Sequence, residues 1–151
     1  MNRVMDAILE GAIAGTVATL PMSALMLAAG KVGLMGKQPP EEITEDALGA
    51  AGVRTDSEEQ ENVITVLGHL GYGASMGALF SVLHHEIHPP IPPTVHGVCF
   101  ALGVWALSYK GWVPALGIMP PPAEDRPGRP ESMIAAHIVY GAALGAIVGE
   151  P

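Results

Sequence analysis

The chain has 151 residues and a formal net charge of −8, with 49% hydrophobic and only 15% charged residues. This length predicts a single domain. The acidic balance, with seven Lys and Arg residues that do not cluster, excludes a nucleic-acid partner because phosphate binding needs a basic face.

Four long stretches carry no Asp, Glu, Lys or Arg: residues 11–30, 62–85, 87–109 and 132–149. Each is long enough, or nearly so, for the roughly 20 residues with which a helix crosses a bilayer. The 19 glycines would weaken soluble helices but suit membrane helices that pack closely. The sequence therefore predicts an all-α, polytopic membrane protein with four transmembrane helices. The predicted partner of these helices is the lipid bilayer.

The first half of the chain is predicted to hold two of these helices. The first helix spans about 5–30 and contains Pro21, which removes a backbone donor and should kink it. A short acidic surface helix over 40–49 follows in the first loop. The second long helix spans about 57–85, with Asp56 as its N-cap and Glu59 three residues later.

The second half begins after a proline-rich turn at 89–93. The third helix is predicted over about 94–109, where Trp105, Tyr109 and Trp112 are typical of aromatic anchors at a membrane interface. Residues 113–119 either continue this helix with a kink or lie along the interface. A polar, proline-rich loop then leads to the fourth helix, predicted over 131–149.

A ten-residue motif occurs twice, as H-x-x-Y-G-A-x-x-G-A beginning at His69 and again at His137. The two copies indicate an internal duplication, with one helical hairpin in residues 1–88 and the other in 89–151. The His and both Gly of a copy share one helix face, and Tyr72 or Tyr140 lies beside them. The glycines expected at close helix contacts are Gly11, Gly15, Gly73, Gly77, Gly141, Gly145 and Gly149.

The basic residues are distributed unevenly between the two sides of the predicted bundle. Because short cytoplasmic loops carry an excess of Lys and Arg, this asymmetry predicts that the first and third loops are cytoplasmic and that both termini lie outside. The first and third loops with their flanks hold Lys31, Lys37, Arg54, Lys110, Arg126 and Arg129, against Arg3 alone on the other side.

His69 and His137 lie inside apolar stretches, where an ionisable side chain predicts a functional role and should face the bundle interior. Three interpretations remain open. The pair is structural, bonded to Tyr72, Tyr140 or backbone carbonyls; it forms a polar pathway or binding site between the halves; or it ligates a haem. The close helix approach implied by the glycines favours the first two over a macrocycle held between the imidazoles.

A second histidine cluster comprises His84, His85, His88 and His96. His84 and His88 are four residues apart and would share a helix face, so with Glu86 or His96 they predict a transition-metal site. The alternative is that these histidines are solvated residues of a turn at the membrane surface.

Three runs of sequence, HLGYGA from His69, WVPALGIMPPP from Trp112 and MIAAHIVYG from Met133, resemble a group of small bacterial inner-membrane proteins similar in kind to the YagU-like family. The resemblance covers nearly the whole chain and implies a four-helix protein of the bacterial inner membrane. It transfers no catalytic residue, because no activity is established for such families.

The chain also contains no phosphate-binding glycine loop, nucleophile elbow or H-E-x-x-H motif. The leading hypothesis is therefore a membrane component without enzymatic activity, either a small transporter-like or channel-like protein or an accessory subunit. In that role it would assemble with other membrane subunits or with itself. The alternative is a membrane redox protein that binds a transition metal or haem through His69 and His137 or through His84, His85 and His88.

Overall fold

The computed structural model describes residues 3–149, and within that range every regular element is a helix. The all-α prediction is therefore confirmed. Residues 1–2 and 150–151, the outer ends of the two predicted repeats, lie outside the described residues. The helices are α1 Arg3–Lys31, α2 Pro39–Ala50, α3 Glu58–Ile87, α4 Pro93–Leu107, α5 Val113–Ala115 and α6 Arg129–Val148, with a π-helical turn at Ser108–Trp112 between α4 and α5.

Three helices in the described range, α1, α3 and α6, are long and apolar enough to cross a membrane. The prediction of four such helices is corrected here, because α4 ends after 15 residues at Leu107. The backbone then widens into the π-helical turn, where the amide of Val113 bonds the carbonyl of Ser108. The turn comes just before Pro114, whose ring would clash with the carbonyl four residues earlier in a regular α-helix.

The outward surface of α1 is apolar over its middle turns. Ile13, Leu20 and Leu27, spaced seven residues apart and so on one helix face, are exposed by 66%, 58% and 58%. Soluble monomers rarely expose an apolar stripe of this kind. The surface is compatible with contact to lipid.

The predicted start of the second long helix needs a small correction. The N-cap of α3 is Ser57, whose hydroxyl accepts from the amide of Gln60 at 3.2 Å, and not Asp56. Asp56 instead donates its own backbone N–H to the side chain of Gln60 at 2.8 Å. The N-cap therefore lies one residue later than predicted, and the side chain of Gln60 bonds the residue before the cap instead of completing a capping box with Ser57.

The closest contact between α1 and α3 is made by glycines. A Cβ added at Gly15 would lie 2.9 Å from the Cα of Gly77, and one added at Gly77 would lie 2.6 Å from the Cα of Gly15. At Gly11 an added Cβ would lie 2.6 Å from the Cβ of Ser81. Side chains have no room between these backbones, so the two helices touch main chain to main chain.

The pair α4 and α6 makes a contact of the same kind. A Cβ added at Gly141 would lie 2.7 Å from the carbonyl carbon of Gly97, and one added at Gly145 would lie 2.7 Å from that of Pro93. Gly149 faces the Pro93 ring. The two helix pairs are joined because α6 also packs against α1.

Gly77 and Gly71 provide a matched test of this contact on one helix. We expect Gly77→Ala to lower stability by about 1–3 kcal/mol, as overpacking does, because the new methyl meets the backbone of Gly11 and Gly15. Gly71→Ala should be neutral or slightly stabilising, because nothing lies within 4 Å of its added Cβ and Ala is the better helix former. Melting temperatures in detergent measure both, and equal shifts would contradict the contact.

Candidate functional site

A cavity with a volume of about 430 Å³ lies at the end of the bundle that carries the first and third loops. The short helix α2 covers one side through Ile43, Ala47 and Leu48, while Met22 and Met26 of α1 line another. A smaller space of about 30 Å³, lined in part by Thr19 and Tyr140, shares His69, Tyr72 and His137 with the larger cavity. Carbon atoms dominate the walls.

Both motif histidines line this cavity. His137 is 8% exposed, and its Nδ1 lies 2.8 Å from the carbonyl oxygen of Met133, one turn earlier on α6. His69 is half-buried, with its Nδ1 3.3 Å from the hydroxyl of Ser23 on α1. The hydrogen bonds recorded for residues 3–149 do not join the two imidazoles, which share the cavity without a direct bond.

The two motif tyrosines have different environments. Tyr140 is 4% exposed and donates its hydroxyl to the carbonyl oxygen of Gly73 at 2.7 Å, which links α6 to α3. Tyr72 is 42% exposed, and its hydroxyl lies 3.2 Å from that of Ser108 in the π-helical turn. The motif copies therefore differ in what their tyrosines do.

The aromatic residues expected as interfacial anchors line the cavity instead. Tyr109 is 3% exposed and donates its hydroxyl to a carboxylate oxygen of Asp125. Trp105 is half-buried, and its indole Nε1 is covered and has no hydrogen-bond partner in residues 3–149. Only Trp112, which is 39% exposed, keeps a large exposed surface. The prediction of an interfacial anchor is therefore wrong for Tyr109, which is buried. No pattern in the sequence indicates that all three aromatic side chains line a cavity.

A buried arginine holds this end of the molecule together, and the sequence reasoning missed it. Arg129, which was counted only as a cytoplasmic charge, is 6% exposed. Its guanidinium donates to the carbonyl oxygens of Met35 at 2.8 Å and Lys37 at 3.1 Å. It also pairs with the carboxylates of Glu42 at 2.9 Å and Asp125 at 3.4 Å.

The Arg129 network joins three separate segments: the first loop, α2 and the third loop. Arg126 adds a further contact, donating to the carbonyl of Gly33 at 3.0 Å. The one sequence signal for the network is the four-residue spacing of Asp125 and Arg129, in a segment where the sequence predicts a loop. The partners on the first loop are about ninety residues away and leave no local pattern.

A second ion pair ties α2 to the first loop at the surface. The ammonium of Lys37 bonds the carboxylate of Glu45, which raises the pKa of Lys37 and lowers the pKa of Glu45. Both side chains are more than 40% exposed. Solvent screens such pairs strongly, so this one contributes little to stability compared with the Arg129 network.

The second histidine cluster lies at the opposite end of the bundle. Nδ1 of His84 is 2.9 Å from Nδ1 of His96, while Nε2 of His85 is 2.9 Å from a carboxylate oxygen of Glu10. The same oxygen accepts from the buried hydroxyl of Ser81 at 3.0 Å, so Glu10 is a further residue that the sequence reasoning missed.

The cluster does not assemble the predicted ligand set for a metal. His88 ends α3 in a left-handed conformation with φ of 48°, just before the prolines. In residues 3–149 no three His, Cys, Asp or Glu side chains converge in an arrangement that would hold a metal ion. Two of the four predicted ligands, His84 and His96, are nevertheless in direct contact.

Replacement of Arg129 tests the network that covers the cavity. We expect Arg129→Met to cost about 3–5 kcal/mol, because it removes the only guanidinium that the carboxylates of Asp125 and Glu42 pair with among the described residues. It should also release α2 and speed tryptic cleavage after Lys37. Arg126→Met is the matched control, since Arg126 is exposed and makes one carbonyl contact. If the melting temperature and the cleavage rate of Arg129→Met equal those of the wild type, the network does not have the role assigned to it.

Comparison with known proteins identifies a family but supplies no activity. No curated protein and no solved structure matches the chain. A family model described as a family of unknown function, DUF6789, matches residues 5–150. The match shows an uncharacterised family and does not confirm the resemblance to the YagU-like family. The chain belongs to the DUF6789 family of unknown function.

Proposed function

We propose that this protein is a small multi-pass membrane protein that binds a largely apolar small molecule in the cavity beneath α2. The observation that carries the proposal is the cavity itself, which has a volume of about 430 Å³ and contains both motif histidines. Pockets for small molecules typically measure roughly 300–1,000 Å³ and combine apolar walls with a few polar groups. A carrier or transporter-like role, or that of an accessory subunit holding a lipid-soluble molecule, follows from such binding.

We extend the proposal to a fourth membrane crossing made of α4, the π-helical turn and α5. Together they form one uninterrupted helical path over 93–115, which exceeds the roughly 20 residues that a crossing needs. Leu107, near the middle of this path, is 74% exposed and suits contact with lipid. π-Helical turns inside membrane-type helices are tolerated because the backbone groups remain bonded.

With this fourth crossing the chain consists of two tandem hairpins, residues 1–88 and 89–151. Support comes from the equivalent motif glycines, because Gly73 and Gly77 meet α1 as Gly141 and Gly145 meet α4. An internal duplication explains why the cavity has a histidine from each half. The unequal tyrosines and the extra helix α2 mark where the halves differ.

The cavity can be closed by one substitution that does not disturb the backbone. Gly68 of α3 lines the cavity, and a Cβ added there meets nothing within 4 Å. We expect Gly68→Phe to fill the space and to abolish saturable quenching of Trp105 and Trp112 by a long-chain bromoalkane in nanodiscs. These are the only two tryptophans of the chain and both line the cavity.

Gly71→Phe is the matched control for that experiment. Gly71 lies on the same helix, its added Cβ also meets nothing within 4 Å, and it is absent from the cavity wall. Quenching in this variant should equal that of the wild type. If Gly68→Phe and the wild type are quenched alike, the bromoalkane reaches the tryptophans from the lipid and the cavity is not a binding site.

One observation favours a second candidate, a membrane redox protein in which His69 and His137 hold a metal or haem. Each imidazole has its Nδ1 next to an oxygen, that of Ser23 or Met133, which is the usual outer contact of a ligating histidine. The Nε2 atoms would then be the ligands. An absorbance spectrum and metal analysis of purified protein distinguish the candidates, since a Soret band or a stoichiometric metal would favour the second.

The proposed orientation has the first and third loops in the cytoplasm of a bacterial cell and both termini outside the inner membrane. Single cysteines at Ala51, Ala123 and Ile91 of a Cys99→Ser protein report it, because all three positions are exposed. An impermeant thiol reagent applied to intact cells should label position 91 and spare positions 51 and 123. Labelling of the two loops instead would reverse the orientation.

A further inference from the structure

We infer that the molecule bound in the cavity is electrically neutral and carries a hydroxyl group that hydrogen-bonds to His137. The inference rests on the proposed function, because it concerns the same cavity and names the chemical class of the ligand. Long-chain alcohols, phenols and hydroquinones with alkyl tails belong to this class.

Neutrality follows from the composition of the cavity wall. The lining residues include His69 and His137 but no Asp, Glu, Lys or Arg. The guanidinium of Arg129 contacts Glu42 and Asp125, and it does not line the cavity. A carboxylate or phosphate inside would lack a counter-charge, and burial of an unpaired charge is strongly unfavourable.

The hydrogen bond of His137 determines which of its ring nitrogens can accept. A carbonyl oxygen can only accept, so the Nδ1 of His137 carries the proton that it donates to Met133. In the neutral imidazole the Nε2 is then an acceptor with a free lone pair. A ligand meets this atom favourably only if it brings a hydrogen-bond donor.

A hydroxyl provides that donor on an otherwise apolar molecule, whereas an ether or a ketone can only accept and offers nothing to His137. The indole Nε1–H of Trp105 has no partner in the described part of the chain, but this atom is covered and so does not meet a ligand in the cavity.

Three hydroxyls of the wall already have partners. The hydroxyls of Tyr72 and Ser108 lie against each other, and Tyr109 donates to Asp125. Lipid tails are as apolar as the cavity, so moving a hydrocarbon from bilayer to cavity gains little. A polar group on the ligand therefore contributes more to the free energy of binding than the alkyl part does. The hydroxyl therefore determines which apolar molecule is retained.

Three bromine-terminated probes of equal chain length test the inference on the unmodified protein in nanodiscs: an alcohol, an alkane and a carboxylate. Quenching of Trp105 and Trp112 reports occupancy. After correction for partition into protein-free nanodiscs, we expect the alcohol to reach half-saturation at about one tenth of the concentration that the alkane needs, as one hydrogen bond would produce. The carboxylate, ionised at neutral pH, should bind no better than the alkane.

Two variants assign the preference to His137. His137→Leu should reduce the alcohol-to-alkane ratio to about one, whereas His137→Gln, which keeps an acceptor, should retain part of it. Equal binding of alcohol and alkane to the wild type would overturn the hydroxyl inference but leave the apolar site intact. Strongest binding by the carboxylate would also overturn it. Failure of every probe to saturate, with no difference from Gly68→Phe, would overturn the proposed function itself.

Discussion

Backbone contact at glycine is the interaction on which the rest of the structure depends. Gly15 and Gly77 bring α1 and α3 together without intervening side chains, and Gly97 and Gly141 do the same for α4 and α6. Between membrane helices, association relies on such packing because lipid offers no hydrophobic driving force. His69 lies about two helical turns before Gly77, and His137 about one turn before Gly141, so the glycine contacts hold the helices together next to the cavity.

The loop end of the bundle depends on a different kind of interaction. Arg129 is enclosed by two carbonyl oxygens and two carboxylates, and these partners come from the first loop, α2 and the third loop. Burial of a guanidinium is tolerated only when its N–H donors have hydrogen-bond acceptors and its charge is paired, as they are here. The same charge network keeps α2 over the cavity while remaining outside its wall, which leaves the wall apolar and uncharged.

The opposite end holds a separate cluster of polar side chains. One carboxylate oxygen of Glu10 on α1 contacts both Ser81 and His85 on α3. His84 on α3 contacts His96 on α4. Polar groups within apolar helices are costly unless they bond each other, so their pairing links α1 to α3 and α3 to α4.

Local patterns were enough to locate four of the helices of this protein, but they gave no sign of the π-helical turn after α4. The uncharged stretches, Pro39 and the Ser57 region located α1, α2, α3 and α6 to within a few residues, because helix propensity and capping act over one or two turns. The sequence also singled out His69 and His137, since ionisable residues stand out in apolar stretches. Tertiary structure decided that Tyr140 is buried while Tyr72 is exposed, that Tyr109 turns inward, and that Arg129 is enclosed. Each of these depends on partners far away in the chain, and an arginine in a polar loop has the same local sequence whether water or distant carbonyl groups surround it.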